Sequence, residues 1–332
     1  MNRRKFVKQT AIAGTTLGIL SPSILSGMQT SVIKIGIIGL DTSHATAFAK
    51  IFNAADSPKE FQGFRVVAAY PKGSADIESS VSRIPKYTEE VKGYGVEIVD
   101  SVKSLLKMVD VVLLETNDGR PHKEQAFEVL KAGKPMFIDK PVAASLKDVL
   151  AIYDEARKRK VPIFSASSLR YMQTVQQVRY ENKIGRVIGA DTFSPATLEP
   201  THPDLFWYGI HGVETLFTVM GPGCESVIRQ HSPNMDVVVG KWKDGRIGTF
   251  RGTREGKHDY GGTAYGTEGN LALGPFDGYD GLAIKIAEFF RSGKPPFDEV
   301  ETLEIYAFME AADESKRRNG ATVNLKEVIG DR

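Results

Sequence analysis

The sequence predicts an α/β fold that opens with a parallel sheet and continues into a second domain. Short apolar runs bounded by turn residues alternate with helical patterns through the first 150 residues, as strands and helices of a parallel sheet do. The chain is also 332 residues long, with 41% hydrophobic residues, which is more than a single hydrophobic core usually holds.

The first predicted strands are nearly continuous runs of Val, Ile and Leu, as expected for strands that are buried on both faces. They lie at 32–38, 64–70, 109–114 and 135–138. A helix is predicted after the first strand, from about 45 to 53. A strand, a tight turn and a helix in this order are typical of a Rossmann dinucleotide-binding domain.

The turn after the first strand carries a degraded phosphate-binding motif. In the GxGxxG pattern the backbone approaches a pyrophosphate at a helix N-terminus. Here Gly39 stands at the first glycine, while Asp41 and His44 occupy the second and third. Thr42 and Ser43 can cap the helix or hydrogen-bond phosphate oxygens. Two interpretations stay open: a dinucleotide beside an Asp41 that is turned away, or a helix cap that holds no nucleotide.

The end of the second strand bears on the choice between NAD and NADP. An acidic residue there would bind the ribose hydroxyls, but Tyr70 is followed by Pro, Lys, Gly and Ser. Lys72 and Ser74 could accept a 2′-phosphate or form an ordinary polar loop. The predicted cofactor is therefore NAD or NADP.

One stretch of about thirty residues resembles the Gfo/Idh/MocA oxidoreductase family. It reads LLETNDGRPHKEQAFEVLKAGKPMFIDKPVAAS. In that family a Thr-Asn loop ends a strand, His and Glu-Gln-Ala open a helix, and an AGK turn leads to a strand that ends in Glu-Lys-Pro. The matching residues are Thr116, Asn117, His122, Glu124, Gln125, Ala126, Gly133, Lys134, Lys140 and Pro141. Asp139 replaces the glutamate, and further matches continue to the end of the chain.

The resemblance implies the architecture of the whole chain. We predict a Rossmann domain at 31–150 and a C-terminal α/β domain at 151–332. The second domain is expected to have an open, largely antiparallel sheet that covers the nicotinamide and mediates homo-oligomerisation. Its last helix is expected to pack back on the first domain.

The resemblance also implies an NAD(P)-dependent oxidoreductase that acts on a CH–OH group of a sugar or sugar derivative. The expected cofactor-binding residues are Gly39, Asp41, Thr42, Ser43, His44, Tyr70, Thr116, Asn117, His122, Asp139 and Lys140.

Three residues are predicted to be catalytic, and two of them, Lys140 and His211, to handle protons. Lys140 ends a strand at the cleft, where desolvation can lower the pKa of a lysine; an ordinary surface lysine is the alternative. His211 is similar to the family's catalytic histidine and can act as an acid or a base. Glu214, at i+3 on the same helix face, could orient that ring or form a structural pair. The family's aspartate, four residues before the histidine, is Trp207 here.

The predicted substrate-binding residues are Arg170, Trp207, Tyr208 and His211. The two aromatic side chains could stack on a sugar ring or pack at a domain interface. His202 and Tyr171 are further candidates.

No metal site is predicted. Several potential ligands fall near the ends of the predicted strands and could converge on a divalent cation, but hard ligands without fixed spacing indicate a metal only weakly. They are Asp41, His44, Glu115, Asp118, His122 and Asp139.

Charge and cysteine content exclude other classes. The net charge of +2 and the lack of long basic runs argue against a nucleic-acid partner. The single cysteine, Cys224, excludes an intrachain disulfide and a cysteine metal cluster.

The first thirty residues resemble a twin-arginine export signal. Arg3 and Arg4 precede a weakly apolar stretch at 10–20 that is too short to span a membrane. An amphipathic N-terminal helix is the alternative. Export predicts a periplasmic protein without a membrane anchor, whose cofactor is held tightly and regenerated within its own cycle. Two other functions stay open. Export favours an NAD-dependent glycoside hydrolase or epimerase, and the altered phosphate loop, the missing ribose acid and Trp207 permit a cofactor-free carbohydrate-binding protein.

Overall fold

The computed structural model describes residues 32–330. The predicted export signal at 1–30 lies outside the described residues. Across the described part of the chain, no helix combines the length and the apolarity that a membrane crossing requires.

The first sheet consists of six parallel strands in the order β3-β2-β1-β4-β5-β6. This order is that of a Rossmann domain, so the predicted fold of this half is confirmed. The strands are β1 Ile33–Ile38, β2 Phe64–Tyr70, β3 Glu97–Ile98, β4 Val111–Leu114, β5 Met136–Ile138 and β6 Ile163–Phe164. The helices between and after them are α1 Ser43–Asn53, α2 Glu78–Val81, α3 Ile84–Gly93, α4 Val102–Leu106, α5 His122–Lys131 and α6 Leu146–Arg159.

Local sequence explains where several of these elements begin. Every residue of β4 is buried, as its run of Val and Leu requires. The side chains of Thr42, Ser101 and Ser145 accept a hydrogen bond from the first turn of α1, α4 and α6, which is the usual role of an N-cap residue. The Thr42 cap therefore begins α1 at Ser43, two residues before the predicted start.

The second sheet has seven strands in the order β12-β11-β7-β10-β9-β8-β13. Only the β7–β10 pair is parallel, and the other pairs are antiparallel, so the expected sheet type is confirmed. The strands are β7 Val187–Pro195, β8 Cys224–Ser232, β9 Met235–Trp242, β10 Ile247–Thr253, β11 Gly261–Gly266, β12 Asn270–Leu273 and β13 Val323–Asn324. The helices are α7 Gln173–Tyr180, α8 Asp204–Trp207, α9 Ile210–Met220, α10 Asp280–Ser292, α11 Glu299–Arg317 and α12 Leu325–Ile329.

Helix α9 covers one face of this sheet. All of its residues are buried, and it contacts β7 and β10. A Cβ added at Gly212 would lie 2.4 Å from a ring carbon of Phe250 in β10. The helix can approach the sheet this closely only because Gly212 has no side chain.

The two halves are joined more closely than the predicted boundary implies. Residue 150 lies inside α6, and β6 extends the first sheet to Phe164. Helix α10 packs against the first sheet through Leu282 and Ile286, whereas the last helix, α12, contacts β8 of the second sheet. Helix α10 thus packs back on the first sheet, and the expectation for the last helix stays a prediction. Residues from Val32 onward form one compact unit, and the division into two domains stays a prediction.

Candidate active site

A cavity of about 250 Å³ lies at the carboxyl edge of the first sheet, where open α/β sheets bind their ligands. Ligand pockets usually measure roughly 300–1,000 Å³, so this cavity fits the reacting ends of its ligands rather than a whole dinucleotide. Its lining residues are Thr42, Ser43, His44, Ser79, Arg83, Tyr87, Asn117, Lys140, Ser168, Leu169, Trp207, Tyr208, His211, Tyr260, Phe276 and Tyr279.

The turn after β1 keeps the backbone shape of a phosphate-binding loop. Gly39 has φ +93°, and a Cβ there would lie 2.5 Å from the Thr116 backbone nitrogen, so only glycine fits. The Thr42 side chain accepts a hydrogen bond from the His44 backbone nitrogen at 3.4 Å. Thr42, Ser43 and His44 all line the cavity, and the start of α1 is therefore placed to receive an anionic ligand.

Asp41 is fully buried and turned away from the cavity. Its carboxylate accepts hydrogen bonds from the backbone nitrogens of Asn117, at 3.0 Å, and Ser74, at 3.3 Å. Burial raises the pKa of Asp41, although these bonds oppose the shift. A phosphate group beside this turn would therefore meet backbone and hydroxyl groups rather than the carboxylate.

The Ser74 side chain is already hydrogen-bonded to other residues of the chain. Its hydroxyl donates to Asp76 at 2.9 Å and accepts from Arg120 at 3.3 Å, and the side chain is buried. Ser74 is thus not free to bind a 2′-phosphate, and of the two residues considered for that role only the exposed Lys72 remains.

Lys140 lines the cavity just after β5, with only 8% of the residue exposed. Its Nζ lies 3.6 Å from Oδ2 of Asp139, which is fully buried. The same oxygen lies 2.9 Å from Nδ1 of His44. Although burial opposes the shift, His44 and Lys140 hold the pKa of Asp139 below its usual value. Asp139 thus carries a negative charge beneath the cavity floor.

His211 enters the cavity from α9 and is held by Ser167. The Ser167 hydroxyl lies 2.8 Å from Nδ1 of His211 and also accepts from the Leu169 backbone nitrogen at 3.3 Å. Burial, together with Lys140 and His44, holds the pKa of His211 well below its usual value. His211 is therefore neutral at neutral pH. Its Nε2 has no hydrogen-bond partner among residues 32–330 and is available to a ligand.

Glu214 does not bond to His211. It accepts from the Ser167 backbone nitrogen at 2.7 Å and from Nε of Arg170 at 2.7 Å. Glu214 therefore acts on His211 only through Ser167, as a positioning residue, and we correct its predicted catalytic role.

Arg170 does not reach the cavity either. It is 1% exposed, donates to Glu301 at 2.6 Å and lies over the Phe297 ring at 3.8 Å. A guanidinium fixed between two buried carboxylates has no path to a sugar, so the predicted substrate contact is wrong for Arg170.

Aromatic side chains form the wall opposite the first sheet. The rings of Tyr208 and Tyr260 flank His211, with centroids 5.1 and 5.7 Å away, and their hydroxyls lie 3.3 Å apart. Trp207 lines the same wall and contacts the His202 ring. These flat faces can pack against the C–H groups of a sugar ring, while the tyrosine hydroxyls offer polar contacts.

Several predicted residues lie outside the cavity lining. His122 is fully buried and bonds the carbonyl oxygens of Thr116, at 2.7 Å, and Val142, at 3.2 Å. The Thr116 hydroxyl donates to Gln125 at 3.1 Å, and Tyr70 ends β2 beside the first turn. These side chains fix the shape of the loops and do not line the cavity. His202 likewise accepts from the Gly119 backbone nitrogen at 3.1 Å.

Sequence reasoning missed residues from three other segments. Ser79, Arg83 and Tyr87 come from the connection between β2 and β3, Tyr260 directly precedes β11, and Phe276 and Tyr279 precede α10. Tyr279 contacts the His44 ring at 4.9 Å. No motif marks these residues. The aromatic content of the segment before α10 was the only available signal.

Comparison with known proteins identifies relatives of this chain. Residues 33–167 match the family described as "Oxidoreductase family, NAD-binding Rossmann fold". The chain is 28% identical over 222 residues to 1,5-anhydro-D-fructose reductase of Ensifer adhaerens, over 59% of this chain and 66% of that protein. It is 26% identical over 166 residues to dehydrogenase aclE of Aspergillus oryzae, over 48% of this chain and 43% of that protein. The chain therefore spans only part of the length of both relatives.

A solved structure supports the fold. The crystal structure of scyllo-inositol dehydrogenase from Lactobacillus casei, with bound NAD(H) and scyllo-inositol, has a TM-score of 0.71 at 16% identity. The match covers 89% of this chain and 99% of that one. At this identity the similarity shows the fold alone.

Proposed function

Because this chain belongs, through residues 33–167, to the Gfo/Idh/MocA oxidoreductase family with its NAD-binding Rossmann fold, we propose that it oxidises or reduces a CH–OH group of a sugar. The observation that carries this proposal is that Lys140 and His211 line one cavity from opposite sides, one after β5 and one on α9. Hydride transfer needs a proton-handling pair at the reacting alcohol.

The turn after β1 fits the pyrophosphate of a dinucleotide. Gly39 allows the tight turn, α1 begins at the cavity, and Asp41 is turned away from it. When bound, the dinucleotide supplies the hydride chemistry. We therefore include NAD or NADP, held tightly, in the proposal.

The chain's own groups handle the proton and orient the sugar. The Ser167 oxygen already accepts a hydrogen bond from the Leu169 backbone nitrogen, so we assign the Ser167 hydroxyl as the donor to Nδ1 of His211. The single ring proton of neutral His211 is then on Nε2. His211 then donates a hydrogen bond to the oxygen of the reacting carbon, while the Lys140 ammonium gives that oxygen its proton during reduction and the Lys140 amine takes the hydroxyl proton during oxidation. Trp207 and Tyr208 bind the apolar face of the ring.

The first test identifies the nucleotide. Protein lacking residues 1–31 is purified and denatured, and any released nucleotide is identified by absorbance and mass spectrometry. Stoichiometric NAD(H) or NADP(H) is expected. Protein that is empty and also fails to bind added dinucleotide would overturn the oxidoreductase proposal and favour a cofactor-free carbohydrate-binding protein.

A second test separates binding from chemistry. Lys140→Met should lower kcat by roughly 10²–10⁴-fold, the usual contribution of a positioned proton-transfer group, and Asp118→Asn serves as a control outside the cavity. Turnover that leaves the nucleotide's redox state unchanged would favour the hydrolase or epimerase alternative. Equal kcat values for Lys140→Met and the parent would exclude Lys140 from the chemistry.

The proposal places the protein in the periplasm, after export by the twin-arginine route. Its support is the sequence of the first thirty residues, with Arg3 and Arg4 before a weakly apolar stretch. Cell fractionation tests it: replacing both arginines by lysine should retain the protein in the cytoplasm. An unchanged distribution would contradict the twin-arginine route.

A homo-oligomer completes the proposal. Its support is the sheet face opposite α9, where four apolar side chains remain exposed. They are Phe193, Ile228, Val239 and Ile247. Exposed apolar patches of this kind often mark protein interfaces.

A further inference from the structure

Three buried side chains meet beneath the floor of the cavity. His44 comes from the first turn of α1, Glu115 follows β4 directly, and Asp139 follows β5. One nitrogen of His44 and one carboxylate oxygen from each acid all lie within 4.8 Å of one another. Glu115 and Asp139 are completely buried, and His44 is 6% exposed.

These groups lack the hydrogen bonds that buried polar atoms usually have. Within residues 32–330, neither oxygen of Glu115 and neither side-chain oxygen of Asp139 has a hydrogen-bond partner. Nδ1 of His44 lies 2.9 Å from Oδ2 of Asp139, an ion-pair distance, but it is not aligned for a hydrogen bond. Such unpaired buried carboxylates are costly and call for an explanation.

Neighbouring residues show that the lack of hydrogen-bond donors is confined to these three side chains. Asp41, from the same turn as His44, is equally buried, but both of its oxygens accept backbone hydrogen bonds. The Lys140 ammonium approaches Asp139 only to 3.6 Å, and within residues 32–330 it forms no salt bridge with Glu115. Glu115 and Asp139 are therefore two buried carboxyl groups that the described residues leave without hydrogen-bond donors.

We propose that His44, Glu115 and Asp139 bind a divalent cation of the first transition row, such as Mn²⁺ or Zn²⁺. One imidazole nitrogen and two carboxylates form a donor set that such ions accept. His44 also lines the cavity, so the remaining coordination positions are open to water or to an oxygen of a ligand in the cavity. The ion compensates the buried carboxylates and adds positive charge beneath the altered phosphate loop.

This site goes beyond the proposed oxidoreductase function and does not depend on it. Of the six potential ligands that the sequence places near the strand ends, the structure brings these three together. Asp118 pairs instead with Arg120, and His122 bonds backbone carbonyls. Asp118 therefore provides a matched control.

The test measures metal binding in protein without bound substrate. Untagged protein is analysed for metals by plasma mass spectrometry, stripped with EDTA, and titrated with Mn²⁺ by electron paramagnetic resonance and with Zn²⁺ by calorimetry. We expect one ion per chain and a higher Tm when the ion is bound.

Variants locate the ion. Glu115→Gln and Asp139→Asn should each weaken binding by at least the roughly 100-fold that loss of an outer-shell partner can cause. Asp118→Asn should bind as the parent does. Because glutamine has nearly the size of glutamate and removes an unpaired buried carboxyl group, metal-free Glu115→Gln should be at least as stable as metal-free parent, which separates lost binding from misfolding.

Two results would overturn the proposal. One is stripped protein that takes up neither Mn²⁺ nor Zn²⁺ at millimolar concentration, which would indicate that a proton shared by the two carboxyl groups relieves the cluster. The other is binding that Glu115→Gln and Asp139→Asn leave unchanged, which would place the ion elsewhere. Neither result depends on whether a dinucleotide binds.

Discussion

His211 is the residue whose environment most directly determines its chemistry. It is buried between two tyrosine rings and bonded to Ser167, and burial is the main cause of its lowered pKa. A neutral imidazole can donate a hydrogen bond from its Nε2–H without bringing a charge of its own into the cavity. The local packing thus prepares His211 for its proposed role.

We expect His211 to stay neutral at pH 6.5. Its folded-state pKa lies well below the ordinary value, so its contribution to folding is present above about pH 6.5 and is lost as the pH falls below that value. The ¹⁵N resonances of the ring, assigned with His211→Asn, should show protonation only at lower pH. A titration midpoint at or above 6.5 would contradict the lowered pKa.

Ser167→Ala tests how the ring is held. Without the hydroxyl, His211 loses its partner at Nδ1, and we expect kcat to fall by about 10-fold or more, which corresponds to the loss of one hydrogen bond of roughly 1.5 kcal/mol. KM should change little, because Ser167 does not line the cavity. Ser165→Ala is the control nearby. A change in KM alone would assign Ser167 to substrate binding.

For single residues, the sequence predicts which side chains line the cavity better than it predicts which side chains bond to one another. Lys140, His211 and Trp207 line the cavity as expected, because strand ends and family motifs place them there. Arg170 and Glu214 do not, because Arg170 pairs both with Glu214 and with Glu301, which lies 131 residues further along the chain. No local pattern reveals that this glutamate binds the arginine.

Among the secondary structure elements, α9 depends most on a single small residue. Gly212→Ala adds a methyl group that would overlap the Phe250 ring and approach the Ser194 hydroxyl to 2.9 Å. Overpacking of this kind costs typically about 1–3 kcal/mol. Urea unfolding monitored by circular dichroism should show a corresponding fall in the free energy of unfolding.

Gly93→Ala provides the matched control for this prediction. Gly93 ends α3, and a Cβ there meets nothing within 4 Å. Alanine should leave stability unchanged or raise it by up to about 1 kcal/mol. If both variants lost the same stability, close packing of α9 would not be the reason.

The accuracy of prediction also differs between elements. Strand β2 was predicted at its observed bounds because a buried apolar run ends at clear turn residues. The two-residue strands β3 and β6 carry no such pattern, so the first sheet extends beyond its predicted end. The second sheet followed from the family resemblance, since half-buried antiparallel strands give weaker runs of apolar residues.

For the whole molecule, the open face of the second sheet determines the expected assembly. Phe193→Glu should shift the proposed oligomer toward monomer in light scattering after size-exclusion chromatography, because it places a charge in an apolar contact. Leu198→Glu, at an exposed residue outside the strands, should not. An unchanged mass for Phe193→Glu would exclude this face as the interface.

The arrangement of the whole molecule was predicted only in part. The order of the first sheet follows from alternating strands and helices, and the resemblance supplied the second sheet. The position of α10 against the first sheet could not be predicted, because its apolar face matches either sheet equally well in sequence. The contact of Leu282 with the hydrophobic core around the first sheet is seen only in the structure.

The bonds of Asp41 determine how the cleft opens. One carboxylate holds the loops after β2 and β4 through the amides of Ser74 and Asn117. Those amides can exchange with deuterium only after release from the same buried group, so they should exchange slowly and with matching rates. The two loops would then move as one cooperative unit, and a ligand that enters the cleft would meet a rim that is already ordered.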